Sequence, residues 1–195
     1  MVCRVARVGL VIGFNASLGH GPPQPHHRMS ATAVLCVGNS LTYYNEGLDV
    51  YLSRIGFAAQ RYTKGGASLS VLWKGGKAAA RIEGGAWDVV LLQEDLPETR
   101  TDDFVGAAAQ FVARVLASGA RPVLLMAWPY GRLGHCTMEE IARAHRAVAD
   151  THGIAVAPVG LAFEVARRMA RAAWADIGSA CATAARIRAQ PAFST

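Results

Sequence analysis

The sequence predicts an α/β protein: a three-layer α/β/α sandwich around a five-stranded parallel sheet. Three observations carry that reading. Five short runs, at 33–37, 57–62, 89–92, 121–128 and 154–159, have the length and composition of strands. Stretches with helical apolar periodicity separate most of them, so strand and helix alternate along the chain. The clearest run, Val89-Val90-Leu91-Leu92, is apolar without interruption. That is the pattern of a strand covered by helices on both faces, which a parallel sheet requires.

Each element has its own signal. Residues 33–37 are apolar or sulfur-bearing and stop at Gly38, which permits a sharp exit from the strand. Asn39 and Ser40 favour turns and helix starts, and Leu48, Val50, Tyr51, Leu52 and Ile55 then give a helix. Ser40 is therefore expected in a strand-to-helix turn, where nearby backbone N–H groups favour developing negative charge on or beside a nucleophile. Residues 57–62 form the second strand, and Lys64-Gly65-Gly66-Ala67-Ser68 the loop after it. In a doubly wound sheet the loops at strand carboxyl ends form the ligand crevice, and a glycine there lets backbone approach a substrate oxygen. Gly75-Gly76-Lys77 is not a phosphate loop, because the preceding strand, the spacing and the Ser/Thr of that motif are missing.

The third strand ends at Gln93-Glu94, where a carboxamide can donate N–H to an oxyanion. A helix over 102–118 carries Phe104, Ala107, Ala108, Phe111, Val112 and Val115 on one side. The fourth strand leads into Trp128-Pro129-Tyr130, an aromatic loop able to stack on a substrate. Thr137 and Glu140 form a capping-box pattern for a helix running to about Thr151, with Gly153 as its C-cap. His145 within that helix reads as a surface or partner-contact residue. After the fifth strand, 161–173 reads as the last helix.

Composition excludes several classes. Of 195 residues, 52% are hydrophobic and 17% charged, a globular balance in one domain. No apolar run approaches the about 20 residues that span a bilayer, so no membrane role is expected. The net charge of +6 sits at the two ends: three arginines and no acid lie in 1–28, and five arginines with two acids in 161–195. The body, 29–160, is neutral, which argues against a nucleic-acid partner. Cys3, Cys36, Cys136 and Cys181 show no metal spacing, so no metal and no zinc site is expected. Scattered cysteines suggest a reducing compartment, and the apolar run 8–14 is a poor signal peptide; together they point to the cytoplasm.

Gly38-Asn39-Ser40-Leu41-Thr42 resembles the first block of the SGNH (GDSL-type) hydrolases, in the branch where Asn replaces Asp, and Tyr43-Tyr44-Asn45 fits that branch. The Gly65-Gly66 loop is similar to the second block. Leu92-Gln93-Glu94 stands where the third block usually has Gly-x-Asn, as in a sub-branch carrying Gln-Glu. The resemblance covers about 32–173 and implies a flavodoxin-like SGNH-type fold. It also implies a serine esterase with no cofactor, acting on a small-molecule or carbohydrate ester. Ser40 would be the nucleophile. The N–H groups of Ser40 and Gly66 (Gly65 as the alternative) and the Gln93 amide would hold the oxyanion. Asn39, Tyr44, Asn45, Glu94 and Trp128 would contact substrate.

One block of the resemblance is missing. The family supplies its base and orienting acid late, as Asp-x-x-His after the last strand, and here no histidine follows Val159. His135 is a weak substitute. With one choice of codons, 186–192 read one base out of frame spells His-Pro-Ser-Pro-Ala-Gly, so a slipped frame is one expectation. The domain reading is thus a non-core extension over 1–28, a hydrolase-like domain over 29–173, and an atypical, frameshifted or disordered tail over 174–195. Two other readings stand beside the esterase. One is an inactive scaffold that binds a ligand in the same crevice. The other is a flavodoxin-like nucleotide binder, which lacks a convincing phosphate loop.

Overall fold

A computed structural model describes residues 31–96, 98–130, 133–134 and 136–188, with side chains to 173. The extension 1–28, His135 and the tail beyond 188 lie outside the described residues. Five parallel strands, β1 (Ala33–Gly38), β2 (Ala58–Thr63), β3 (Val89–Gln93), β4 (Arg121–Leu125) and β5 (Ala155–Ala157), form one sheet in the order β2-β1-β3-β4-β5. The expected fold class and all five strands are present. The helices in chain order are α1 (Ser40–Tyr43), α2 (Leu48–Arg54), α3 (Leu69–Lys74), α4 (Lys77–Glu83), α5 (Thr101–Ala117), α6 (Met138–His152) and α7 (Val159–Arg188).

The strand order reverses direction between β1 and β3, the place where such sheets open a crevice. Register aligns the carboxyl ends: Gly38 pairs with Thr63, Gln93 with Leu125, and Leu125 with Ala157. The segments after all five strands therefore leave from one edge. β1 is buried from Val34 to Gly38, as its apolar run requires. Cys36 lies inside it, and burial pushes its thiol up to about 12, so it stays protonated and packs as a small apolar group.

α5 buries all six of the residues predicted for its apolar side. α6 begins with the expected capping box: Thr137 Oγ1 accepts from the Glu140 N–H at 3.2 Å, and Glu140 Oε2 accepts from the Thr137 N–H at 2.7 Å. It ends at Gly153, whose φ of 62° is the left-handed conformation of a C-cap.

Three readings need correction. α3 and α4 were not anticipated; they have only six and seven residues, too few for a periodic pattern, and Gly75-Gly76 separates them. α7 continues to Arg188, where the sequence reading ends it at 173; the added segment is rich in alanine, the strongest helix former. His145 is not on the surface. It is 1% exposed, its Nδ1 hydrogen-bonds the Ile141 carbonyl at 2.8 Å, and its ring lies 4.9 Å from that of Phe104.

Burial pushes the His145 imidazole below its ordinary value, against the opposing pull of the Ile141 and Leu125 carbonyls. It is held neutral in the fold. A depressed folded value means that the stability is present above the ordinary histidine range, about pH 6.5, and is lost as pH falls through the lowered value. Melting temperature should therefore drop between pH 7.5 and 5, and His145→Leu should flatten that slope; an unchanged slope in the variant would contradict the assignment.

Candidate active site

Asn39 and Ser40 leave β1 directly into α1. Asn39 caps this helix, its Oδ1 accepting from the Leu41 N–H at 2.9 Å and its carbonyl from the Thr42 N–H at 3.1 Å. Ser40 is the first helical residue, at the strand-to-helix turn the sequence suggests, and is half-buried. Among the described residues no side chain hydrogen-bonds its hydroxyl.

A cleft of about 430 Å³ opens beside Ser40. Leu41, Leu48, Leu125, Val159 and Phe163 line it, with Tyr44, Tyr51 and Trp128 as aromatic members that carry polar tips and Asn45 as a polar one. Ser40, Tyr44, Asn45 and Trp128 were named from sequence, and the structure brings them together there. Phe163 was missed; its ring packs 4.6 Å from that of Trp128. Its signal was its place in the first turn after β5, at the crevice edge. One wall, 44–47, carries left-handed backbone at two non-glycine residues, Asn45 (φ 53°) and Glu46 (φ 74°). Arg61 holds this wall: its Nη1 donates to the Glu46 carbonyl at 2.8 Å and to Asp49 Oδ1 at 3.0 Å.

Gln93 and Glu94 are placed otherwise than expected. Gln93 is 1% exposed, and neither residue lines the cleft. Gln93 Oε1 accepts from the Asn39 N–H and from Thr42 Oγ1, each at 2.9 Å, and its Nε2 donates to the Glu94 carbonyl. Since a backbone N–H can only donate, the amide oxygen must face Asn39. Glu94 is 0% exposed. Its carboxylate accepts from Leu69 N–H at 3.2 and 3.3 Å, Asp95 N–H at 2.6 Å and Thr99 Oγ1 at 3.1 Å. Burial raises its pKa, and those same bonds oppose the rise. Both corrections have one cause: the segments after β1 and β2 fold over the end of β3 and close it off.

Asn39 is also buried, and its Nδ2 has no partner among the described residues. Gly66 is exposed at φ 62° in the loop after β2. That loop sits against α1: a Cβ on Gly65 would lie 2.9 Å from the Tyr43 hydroxyl. Gly38 has no room for a side chain, since an added Cβ would overlap Thr42 Oγ1 and lie 2.6 Å from Gln93 Oε1. Gly38→Ala is expected to destabilise the fold by about 1–3 kcal/mol through this overlap. A urea titration measures it, and a change within error would contradict the packing described.

His145 and His152 are the histidines with described side chains, and neither lines the cleft. Among the described residues no group of three His, Cys, Asp or Glu could hold a metal ion, and no helix is long and apolar enough to cross a membrane.

No family model and no curated protein matches the chain. Solved structures do. A protein from Slackia heliotrinireducens assigned to the SGNH hydrolases shares 27% identity at a TM-score of 0.61, over 69% of this chain and 83% of its own. A G-D-S-L-family lipolytic protein from Desulfitobacterium hafniense shares 15% at 0.52, over 64% and 75%. Esterase EstA from Pseudoalteromonas sp., in a structure inhibited by monoethylphosphonate, shares 11% at 0.52, over 64% and 75%. The last two likenesses show the shared fold.

Proposed function

The chain is of the SGNH/GDSL hydrolase type, and from that premise we propose that Ser40 is a nucleophile toward carboxylic esters whose apolar acyl or aryl part lies in the Trp128–Phe163 cleft. The observation that carries this is the position of Ser40: at the strand-to-helix turn after β1, on the wall of a mostly apolar cleft. Its hydroxyl oxygen would attack the ester carbonyl, form an acyl-enzyme and release the alcohol. The backbone N–H groups of Ser40 and Gly66 would receive the oxyanion. The carbohydrate expected from the resemblance is the competing choice, since Asn45 and the Tyr44 and Tyr51 side chains also line the cleft. A p-nitrophenyl ester series tests the reading. Octanoate should exceed acetate in kcat/KM by roughly tenfold or more, since each buried methylene is worth about 0.8 kcal/mol before the cleft is full. Equal or reversed preference would contradict the apolar assignment.

No described histidine stands beside Ser40, which favours slow turnover and supports a second reading, a ligand-binding scaffold without catalysis. Added imidazole separates the two. It should accelerate hydrolysis by the protein above that by Ser40→Ala, because a diffusible base can act where no described histidine stands. No gain over that variant would favour the binding scaffold.

A further inference from the structure

Gln93 and Glu94 are consecutive, buried and polar at the end of a central strand, a position where an apolar pair would fill the core without penalty. Neighbouring residues of a strand point to opposite faces, so the two side chains reach different segments. Gln93 Oε1 takes the Asn39 N–H and the Thr42 hydroxyl, one on each side of Ser40. Glu94 takes the Leu69 N–H, the otherwise orphaned donor at the start of α3, three residues after Gly66. Gly38 leaves open the space that the Gln93 oxygen fills.

We infer that Gln93 and Glu94 are positioning residues that fasten the Ser40 turn and the Gly66 loop to β3, and so set the nucleophile and the oxyanion donor relative to each other. Gln93 acts through its oxygen rather than by donating N–H to the oxyanion. The inference rests on Ser40 and Gly66 having the roles proposed above. Fixed placement is what such a site needs, because a displacement of about 1 Å can lower a rate by about 100-fold.

The test uses the full chain and three variants, Gln93→Met, Gln93→Glu and Glu94→Met, with two readouts: backbone amide hydrogen exchange and the rate of Ser40 capture by a fluorophosphonate between pH 5 and 9. Gln93→Met removes the acceptor. It should raise exchange at 39–43 while leaving 66–72 protected, and slow capture by roughly 100-fold. Glu94→Met removes the carboxylate that accepts from the Leu69 N–H and should raise exchange at 68–70 instead. Gln93→Glu is the decisive variant. Its protonated carboxyl keeps the oxygen acceptor and offers one O–H to the Glu94 carbonyl. Capture should then stay within a few-fold of the parent at acid pH and fall as pH rises, because the ionised carboxyl has no O–H left for the Glu94 carbonyl and its second oxygen repels that carbonyl. If Gln93→Glu is as slow as Gln93→Met at every pH, the N–H2 group matters and the inference is overturned. Loss of protection across the whole sheet in Gln93→Met would also overturn it. If the parent protein is not captured at all, the nucleophile reading fails. The exchange pattern still decides the inference: local exposure at the two separate segments upholds the fastening, and its absence refutes it.

Discussion

Ser40→Ala is expected to lower ester turnover by roughly 10³-fold or more, to the buffer background, with little change in stability. The argument is chemical. Alanine keeps the backbone N–H that would face the oxyanion but removes the oxygen that forms the acyl bond, and no neighbouring hydroxyl of α1 can replace it: Thr42 is buried and bonded to Gln93. The structural cost is small because no described side chain hydrogen-bonds the Ser40 hydroxyl, and alanine suits a first helical turn. The measurement is p-nitrophenyl octanoate hydrolysis beside a melting curve. Equal turnover by both proteins would remove Ser40 from the chemistry.

Phe111→Ala is expected to destabilise the protein by about 3–5 kcal/mol, the range for emptying a large buried aromatic site. Phe111 is 0% exposed in the middle of α5 and meets Trp73 edge to face, with centroids 5.1 Å apart. Trp73 belongs to α3, so this contact ties the helix that ends the Gly66 loop to α5. The surroundings cannot collapse easily, because Leu69, Leu72, Ala108 and Val112 belong to the same buried cluster. Urea unfolding gives the value directly; a loss below 1 kcal/mol would mean that the site relaxes as the packing does not suggest.

What the sequence disclosed followed from strong local signals. The five strands were legible because β1, β3 and β4 are apolar runs bounded by polar or turn residues. Their alternation with helices, which implies a parallel sheet, then put Ser40 in the loop at the carboxyl end of the first strand. The capping box at Thr137 was equally clear. Elsewhere tertiary context decided. Gln93 and Glu94 look like residues emerging into solvent, and only the folding of the β1 and β2 loops across β3 makes them interior. His145 was misread for a different reason. It lies four residues after Ile141 and three before Val148, in the middle of the apolar stripe of α6, so spacing could have placed it inside. α3 and α4 were too short for periodicity, and Phe163 could join Trp128 only once β4 and β5 were known to be neighbours.

The central claim is that Ser40 is a nucleophile held in a hydrolase site. Peptide mapping by mass spectrometry after treatment of the folded chain with a fluorophosphonate tests it most directly. The account predicts one phosphonyl adduct, on Ser40, absent from Ser40→Ala. An adduct on another residue, or none on a chain whose melting curve shows it folded, would contradict it.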